Sequence, residues 1–509
     1  MSDALSLKSS AGRWVIAVTV LGSGMAFLDG TVVNVALPDI GRDLNASTAS
    51  LQWILNGYLL SLASLILLGG SLGDRYGRRR IYVIGIAIFT VASLLCAIAP
   101  TAGMLIAARL LEGVGAALLT PGSLAMIEAT LRASDRPRAI GAWSGLTGVA
   151  AAIGPILGGY LVDAFSWRAI FLLNLPIGVF VAFMAYRHLP ETRDPDAHGP
   201  TDVAGAATGA VGLAGTTYAL IEGPEGSAAA VTLAAIAGVL ALVAFAAIEY
   251  RSKNPMVPLT IFSSRQFDAA NLVTFAVYGA LGGFFFLFVS FLQISLGYSP
   301  IQSGAATLPL TLISLAFSSR SGALAQRIGP RVPLTVGSLL IAVGLLMMTR
   351  IDPGDAYVTG ILPALIVFAA GIVLVAPPVT ATVLAAVNPN HAGVASGINN
   401  AVARVAGLLA VALLPLIAGL TGDSFYDPSS MTDGFHIAMV ACAVLAVAGG
   451  VIAWLGISND VLEAEPEPDG AKPTEVLNDV SCPIPAPPLR PGREAKCNPV
   501  VGERVPAQT

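Results

Sequence analysis

The sequence predicts an all-α polytopic membrane protein with fourteen transmembrane helices. Three observations predict it. Charged residues make up 11% of the 509 residues and hydrophobic ones 55%, whereas a soluble domain carries about 25% charged residues. Apolar runs long enough to cross a bilayer recur from Trp14 to Leu455. Lys and Arg fall almost entirely in every second loop between those runs.

Taken in order, the runs cover 14–36, 51–71, 81–99, 104–130, 140–162, 169–187, 203–222, 229–249, 268–292, 303–322, 332–350, 358–385, 393–420 and 436–456. Each must be helical, because lipid offers no partner for bare backbone groups and the runs are too long for barrel strands. The first run is long, lacks a small-residue cleavage site and precedes many more spans, so it does not read as a secretory leader. One set of loops holds Arg75, Arg78, Arg79, Arg80, Arg132, Arg136, Arg138, Arg187, Arg193, Arg251, Lys253, Arg265, Arg320, Arg327 and Arg331. The other set holds Arg42, Arg168 and Arg350. The Arg-rich loops are therefore expected in the cytoplasm, with both termini.

These spans divide the chain into a short cytoplasmic N-terminus (1–13), a six-helix bundle (14–187), two inserted helices with flanking segments (188–267), a second six-helix bundle (268–456) and a tail (457–509). The tail, with EAEPEPDG and PIPAPPLRPG, is Pro-rich and aperiodic, and is expected to be disordered and cytoplasmic. Cys96 and Cys442 fall in spans and Cys482 and Cys497 in the tail, a spacing that suggests neither a metal site nor a disulfide framework. No GxxxxGK[ST] motif is present, so ATP is not the expected direct fuel. No nucleophile–base set points to an enzyme.

The division into halves rests on a repeat. GSLGDRYGRR at 70–79 aligns with GALAQRIGPR at 322–331, and GAWSG at 141–145 aligns with GVASG at 393–397; both lie 252 residues apart. Each match shifts by eight spans, an even number, so the repeat is parallel. Two six-helix halves would shift by six, which leaves spans 7 and 8 as the insertion.

Asp29 is the one acid between Trp14 and Pro38. A carboxylate at mid-bilayer costs about 2.5–3.5 kcal/mol, and is tolerated where it faces water, finds a partner or takes up a proton. A group that holds either a proton or a cationic drug would make the two compete; an Asp that only satisfies nearby backbone is the plainer reading. Arg109 and Glu112 lie three apart, on one helix face, and can neutralise each other. Arg404 stands alone in span 13, either lining a cavity or bonding backbone. Asn34, Trp53, Asn56 and Tyr58 are further candidates for a substrate pocket, with Asn56 a polar handle in an apolar site. The run Phe284, Phe285, Phe286 and Phe288 is more readily packing than pocket.

Several stretches resemble the major facilitator superfamily, and within it the fourteen-span drug:proton antiporters of the QacA/EmrB type: LDGTVVNVALPDI (28–40), GGSLGDRYGRRR (69–80), ARLLEGVGAA (108–117), AAAIGPILGG (150–159) and WRAIFLLNLPIG (167–178). The resemblance runs from about residue 14 to 455. It departs at Glu112, where the family usually has an amide, and at Ala150, where it usually has Gly. The resemblance implies the major facilitator fold, two six-helix bundles plus two additional central helices, rocking by alternating access. It implies proton coupling through Asp29, Arg109 and Glu112. A cytoplasmic gate of Gly70, Asp74, Arg75, Gly77, Arg78 and Arg79 would latch the halves, with Asp74 suited to cap a helix. Gly154, Pro155, Gly158 and Gly159 would form an antiporter motif offering a smooth face to the other half. The expected function is export of hydrophobic, cationic drugs from a bacterial cell by a monomer in its inner membrane. It would use a proton gradient and no cofactor, metal or nucleic acid. The alternatives are an exporter dedicated to one antibiotic, lipid or secondary metabolite, and a non-transporting sensor.

Overall fold

The computed structural model describes residues 5–132, 134–193, 202–224, 226–252, 255–388 and 392–462. Lys253, Cys482, Cys497 and the tail beyond Leu462 lie outside the described residues. Fourteen helices there are long and apolar enough to cross a membrane. They are α1 (Ser10–Leu44), α2 (Thr48–Tyr76), α3 (Arg78–Ala97), α4 (Ala102–Thr130), α5 (Arg138–Ala164), α6 (Arg168–His188), α7 (Val203–Ile221), α8 (Ala228–Arg251), α9 (Arg265–Ile294), α10 (Pro300–Ile328), α11 (Arg331–Met348), α12 (Tyr357–Ala385), α13 (Gly393–Ile417) and α14 (Pro428–Gly456).

Several helices outrun their apolar stretches because capping residues, and not hydropathy, fix their ends. Ser9, Ser47, Thr101, Asp202, Ser227, Ser264 and Asp427 each accept a backbone N–H from the first turn. Ser299 and Gln302 form a reciprocal capping box at the head of α10. Two spans are interrupted. In α6 the helix breaks at Leu173 and resumes at Asn174, and in α10 it breaks at Thr307 and resumes at Leu308. Pro176 and Pro309 follow within two residues, and a proline, having no backbone N–H, cannot donate the regular helix hydrogen bond.

The first six helices pack together through α2 on α4, α3 on α4, α1 on α5, and α6 on α1 and α3. The last six pack through α11 on α12, α9 on α14 and α13, and α10 on α12. The halves meet along two seams, α2 against α13 and α5 against α10. The inserted helices form a hairpin whose first member, α7, lies against α2 and α13. The second, α8, packs on α7, and only 6% of its most apolar window is buried.

The repeat is physical. Gly77 and Gly329 both take positive φ, +113° and +80°. The Arg79 guanidinium donates to Leu189 O at 3.0 Å, and that of Arg331 donates to Ile457 O at 2.7 Å. The Arg79 N–H donates to Glu191 Oε1 at 3.1 Å and the Arg331 N–H to Asn459 Oδ1 at 3.3 Å. Each half thus ties its second-to-third helix turn to the chain leaving its last helix.

The seams are closed at the Arg-poor end. Gln52 Nε2 donates to Val411 O and Ala412 O at 2.7 and 3.0 Å, and Gln293 Nε2 to Val35 O at 2.8 Å. Thr48 Oγ1 donates to Gly422 O, and the Tyr426 hydroxyl to Ala46 O. Asp163 Oδ2 accepts from Ser299 Oγ and Ile301 N at 3.0 and 2.9 Å. Toward the Arg-rich end the interior stands open. A Cβ added at Gly141, Gly145 or Gly148 of α5, or at Gly393 of α13, would meet no atom within 4 Å among the described residues.

Candidate functional site

The charged residues of α1 and α4 converge in the N-terminal half. Arg109 is 1% exposed and Asp29 and Glu112 are 0% exposed. Arg109 Nη1 bridges both acids, at 2.5 Å from Asp29 Oδ2 and 2.6 Å from Glu112 Oε2. Its Nε donates to Ile54 O at 3.1 Å, and its guanidinium lies 4.5 Å from the centroid of Tyr58, a cation–π contact. Three neutral residues complete the arrangement. Asn174 Nδ2 donates to Asp29 Oδ1 at 3.2 Å and to Ser93 Oγ at 3.1 Å. Ser93 Oγ donates to Glu112 Oε1, and Cys96 Sγ lies 3.6 Å from Glu112 Oε2. Asp29, Arg109, Glu112, Ser93 and Asn174 therefore form a closed ring of charge-assisted hydrogen bonds drawn from α1, α3, α4 and α6.

Local structure places each member. Arg109 and Glu112 share one face by their spacing of three. Asn174 is the first residue after the break in α6, so the break delivers its amide to Asp29. Sequence reasoning named the three charges and missed Ser93 and Asn174. Asn174 stands within the LLNLP stretch, where a lone amide before a helix-breaking proline is the available signal.

The pocket candidates separate. Trp53 turns to the inserted hairpin: its Nε1 donates to Glu222 Oε1 at 3.0 Å, and its ring packs on Tyr218. Tyr58 is buried, with its hydroxyl donating to Ala26 O at 3.1 Å. Asn56 is fully buried, and among the described residues neither amide atom has a partner. Asn34 is half-buried, and its amide donates to Gly30 O. Arg404 is half-buried at mid-helix in α13 and stacks across the halves on Phe27, 5.6 Å from its centroid. Phe284, Phe286 and Phe288 are core, interleaved with Phe368, Phe425 and Phe435, and Phe285 alone of that run keeps accessible surface.

Asp74, Arg78 and Arg79 bond to residues of their own half. Asp74 pairs with Arg78 at 2.7 Å and caps nothing. The carboxylate at the head of α3 is Glu191, which reaches it because Gly77 has no side chain in the way. Arg75 lies 5.5 Å from the Tyr76 ring centroid, and Gly70 lies in van der Waals reach of Pro121. The glycine motif serves two partners. Gly154 and Gly158 face Thr31 and Val32 of α1, in the same half. Gly159 faces Pro300 and Ile301 of α10, in the other half, where Gly304 in turn rests on the Pro155 carbonyl.

Comparison with known proteins agrees with this architecture. The family profile described as Major Facilitator Superfamily matches residues 19–411. The puromycin resistance protein of Streptomyces alboniger is 36% identical, over 88% of this chain and 91% of that protein. The methylenomycin A resistance protein of Bacillus subtilis is 34% identical, over 88% and 95%. The multidrug resistance protein Stp of Mycobacterium tuberculosis is 36% identical, over 78% and 74%. Among solved structures, a peptide transporter in complex with sulfate superposes with a TM-score of 0.66 at 14% identity, covering 88% of this chain and 96% of that one. A D-xylose–proton symporter superposes at 0.62 and 15%, covering 90% and 100%. At such identities these two structures speak for the fold alone.

Proposed function

The chain belongs to the major facilitator superfamily, and from that premise we propose that it exports antibiotic-like hydrophobic compounds from a bacterial cell in exchange for protons. It acts as a carrier and not as an enzyme, as a monomer, with the proton gradient as its energy source and no cofactor. The Arg-rich end, with both termini, faces the cytoplasm by its charge. The structure is then an inward-open state, closed outside by the contacts of Gln52, Gln293, Asp163 and Tyr426.

The observation that carries the reading is the sealed ring. Two carboxylates share one guanidinium in a site with almost no water-accessible surface. With both acids ionised the ring bears one net negative charge, and one proton neutralises it. Proton uptake loosens the hold of one acid on Arg109, which frees α1 and α4 to shift against each other. This reading assigns one proton to each cycle. Asp29 serves coupling in this reading and does not meet the drug, because Arg109 and Asn174 already occupy both its oxygens.

Everted membrane vesicles with an imposed acid interior test the reading, with puromycin as one probe of a panel of hydrophobic antibiotics. Wild type is expected to accumulate at least one probe and to lose accumulation on addition of a protonophore. Accumulation that ignores the pH gradient would overturn proton exchange. A broad response favours a multidrug carrier and a response to one compound a dedicated exporter.

A further inference from the structure

Inside the cleft between the halves, the charge on offer is positive. Arg404 is the thirteenth residue of a helical stretch running Ala392–Ile417, hence at its midpoint. A lone cation at that depth costs about 2.5–3.5 kcal/mol unless a partner or water meets it. Among the described residues Arg404 makes no hydrogen bond and no ion pair; it stacks on the face of Phe27, with Tyr58 and Tyr278 within electrostatic reach. A guanidinium carries five N–H donors in a planar fork, so this one retains its full capacity. The acids that could have answered it, Asp29 and Glu112, are 0% exposed and held by Arg109.

The surroundings have the form of a binding site. Ser396, Asn400 and Arg404 recur at intervals of four on α13, so they share one face. Asn400 is exposed and Gly393 at the start of this face is open, which gives a path from the Arg-rich end toward the guanidinium. Phe27 on α1 and Tyr278 on α9 keep accessible surface. Tyr278 lies within electrostatic reach of Arg404. An apolar wall around one convergent cation is the arrangement that holds an aromatic or alicyclic body by its faces and an acidic group by its oxygens.

The geometry points to Arg404 as the anchor for a carboxylate, or an equally acidic oxygen, on the exported compound, so that the favoured substrates are hydrophobic acids and not the cations that Asp29 suggests in the sequence. This rests on the export reading above. A mono-anion leaving while one proton enters moves two charges across the membrane, so acids would also gain more from the membrane potential than neutral compounds.

The test is equilibrium binding to the purified full chain in detergent, read by probe fluorescence. Three probes share one ring system: anthroate, its methyl ester and the aminomethyl analogue, which carry a negative, a zero and a positive charge. Wild type is expected to bind anthroate at least tenfold more tightly than the ester, and the aminomethyl analogue most weakly. Arg404→Gln is expected to erase the preference for anthroate. Arg404→Lys, which keeps the charge without the fork, is expected to retain a smaller preference, and serves if the Gln variant does not fold. Equal binding of anthroate and ester, no binding of anthroate, or a preference unchanged in either variant would overturn the assignment. Export is judged separately by the vesicle experiment: acid preference without gradient-driven accumulation overturns export, and accumulation without acid preference overturns the anchor.

Discussion

Arg109 holds two carboxylates through a single nitrogen, and the consequences of removing each partner differ. A buried charge left without its partner costs about 3–5 kcal/mol, far more than the net worth of the pair. Arg109→Ala strands two acids in a dry site, so the purified variant is expected to unfold at markedly lower temperature or to yield little folded protein. Asn174→Ala removes only neutral donors, to Asp29 and Ser93. A loss of about 1–3 kcal/mol is expected from the unpaired carboxylate oxygen, with normal membrane insertion and slowed gradient-driven accumulation. Wild-type accumulation by Asn174→Ala would remove Asn174 from the coupling site. The three charges were legible in the sequence because ionisable residues in apolar runs announce themselves. Ser93 and Asn174 were not, because small polar residues are common in packed helices and only the meeting of α3 with α6 gives these two their partners.

At the scale of elements, the closest approach between the halves is the contact of α5 with α10. The Cα of Gly304 lies against the Pro155 carbonyl, and a Cβ added there would clash with backbone. Gly304→Val is therefore expected to prevent closure of the Arg-poor end. A cysteine placed at Ala46, beneath Tyr426 in the closed state, should label faster from outside in Gly304→Val than in the parent. Equal labelling would show that α10 yields without opening the seam. The inserted hairpin is fastened differently, through Trp53 and Glu222. Trp53→Phe deletes the donor and keeps the ring, with a loss of about 1 kcal/mol expected, measurable as a lower melting temperature. An unchanged melting temperature would make the bond incidental. The repeat was readable because Gly77 and Gly329 need conformations that side chains resist. The two-sided use of the glycine motif was hidden, since small residues mark close packing without saying which helix approaches.

On the scale of the whole molecule, fourteen spans and two parallel halves follow from hydropathy and an offset of 252 residues. The seam covered by the inserted hairpin does not, because α7 and α8 carry few polar residues to fix a partner, and the docking of α7 on α2 and α13 rests on packing and the one bond from Trp53 to Glu222. The state of the molecule is likewise a property of the assembled halves: Gln52, Gln293 and Asp163 become legible as fastenings once their acceptors and donors across the seam are seen. In the proposed cycle the two halves rock by parting these contacts as the Arg-rich end closes, and the buried ring links that motion to a proton. The most direct measurement follows the proton itself. Everted vesicles expressing the chain are acidified inside, and lumenal pH is followed while a panel of hydrophobic antibiotics and acids is added. The account predicts that at least one compound alkalinises the lumen with wild type, and that Asp29→Asn abolishes the response while the protein remains folded in the membrane. Alkalinisation of the same size with Asp29→Asn would contradict it.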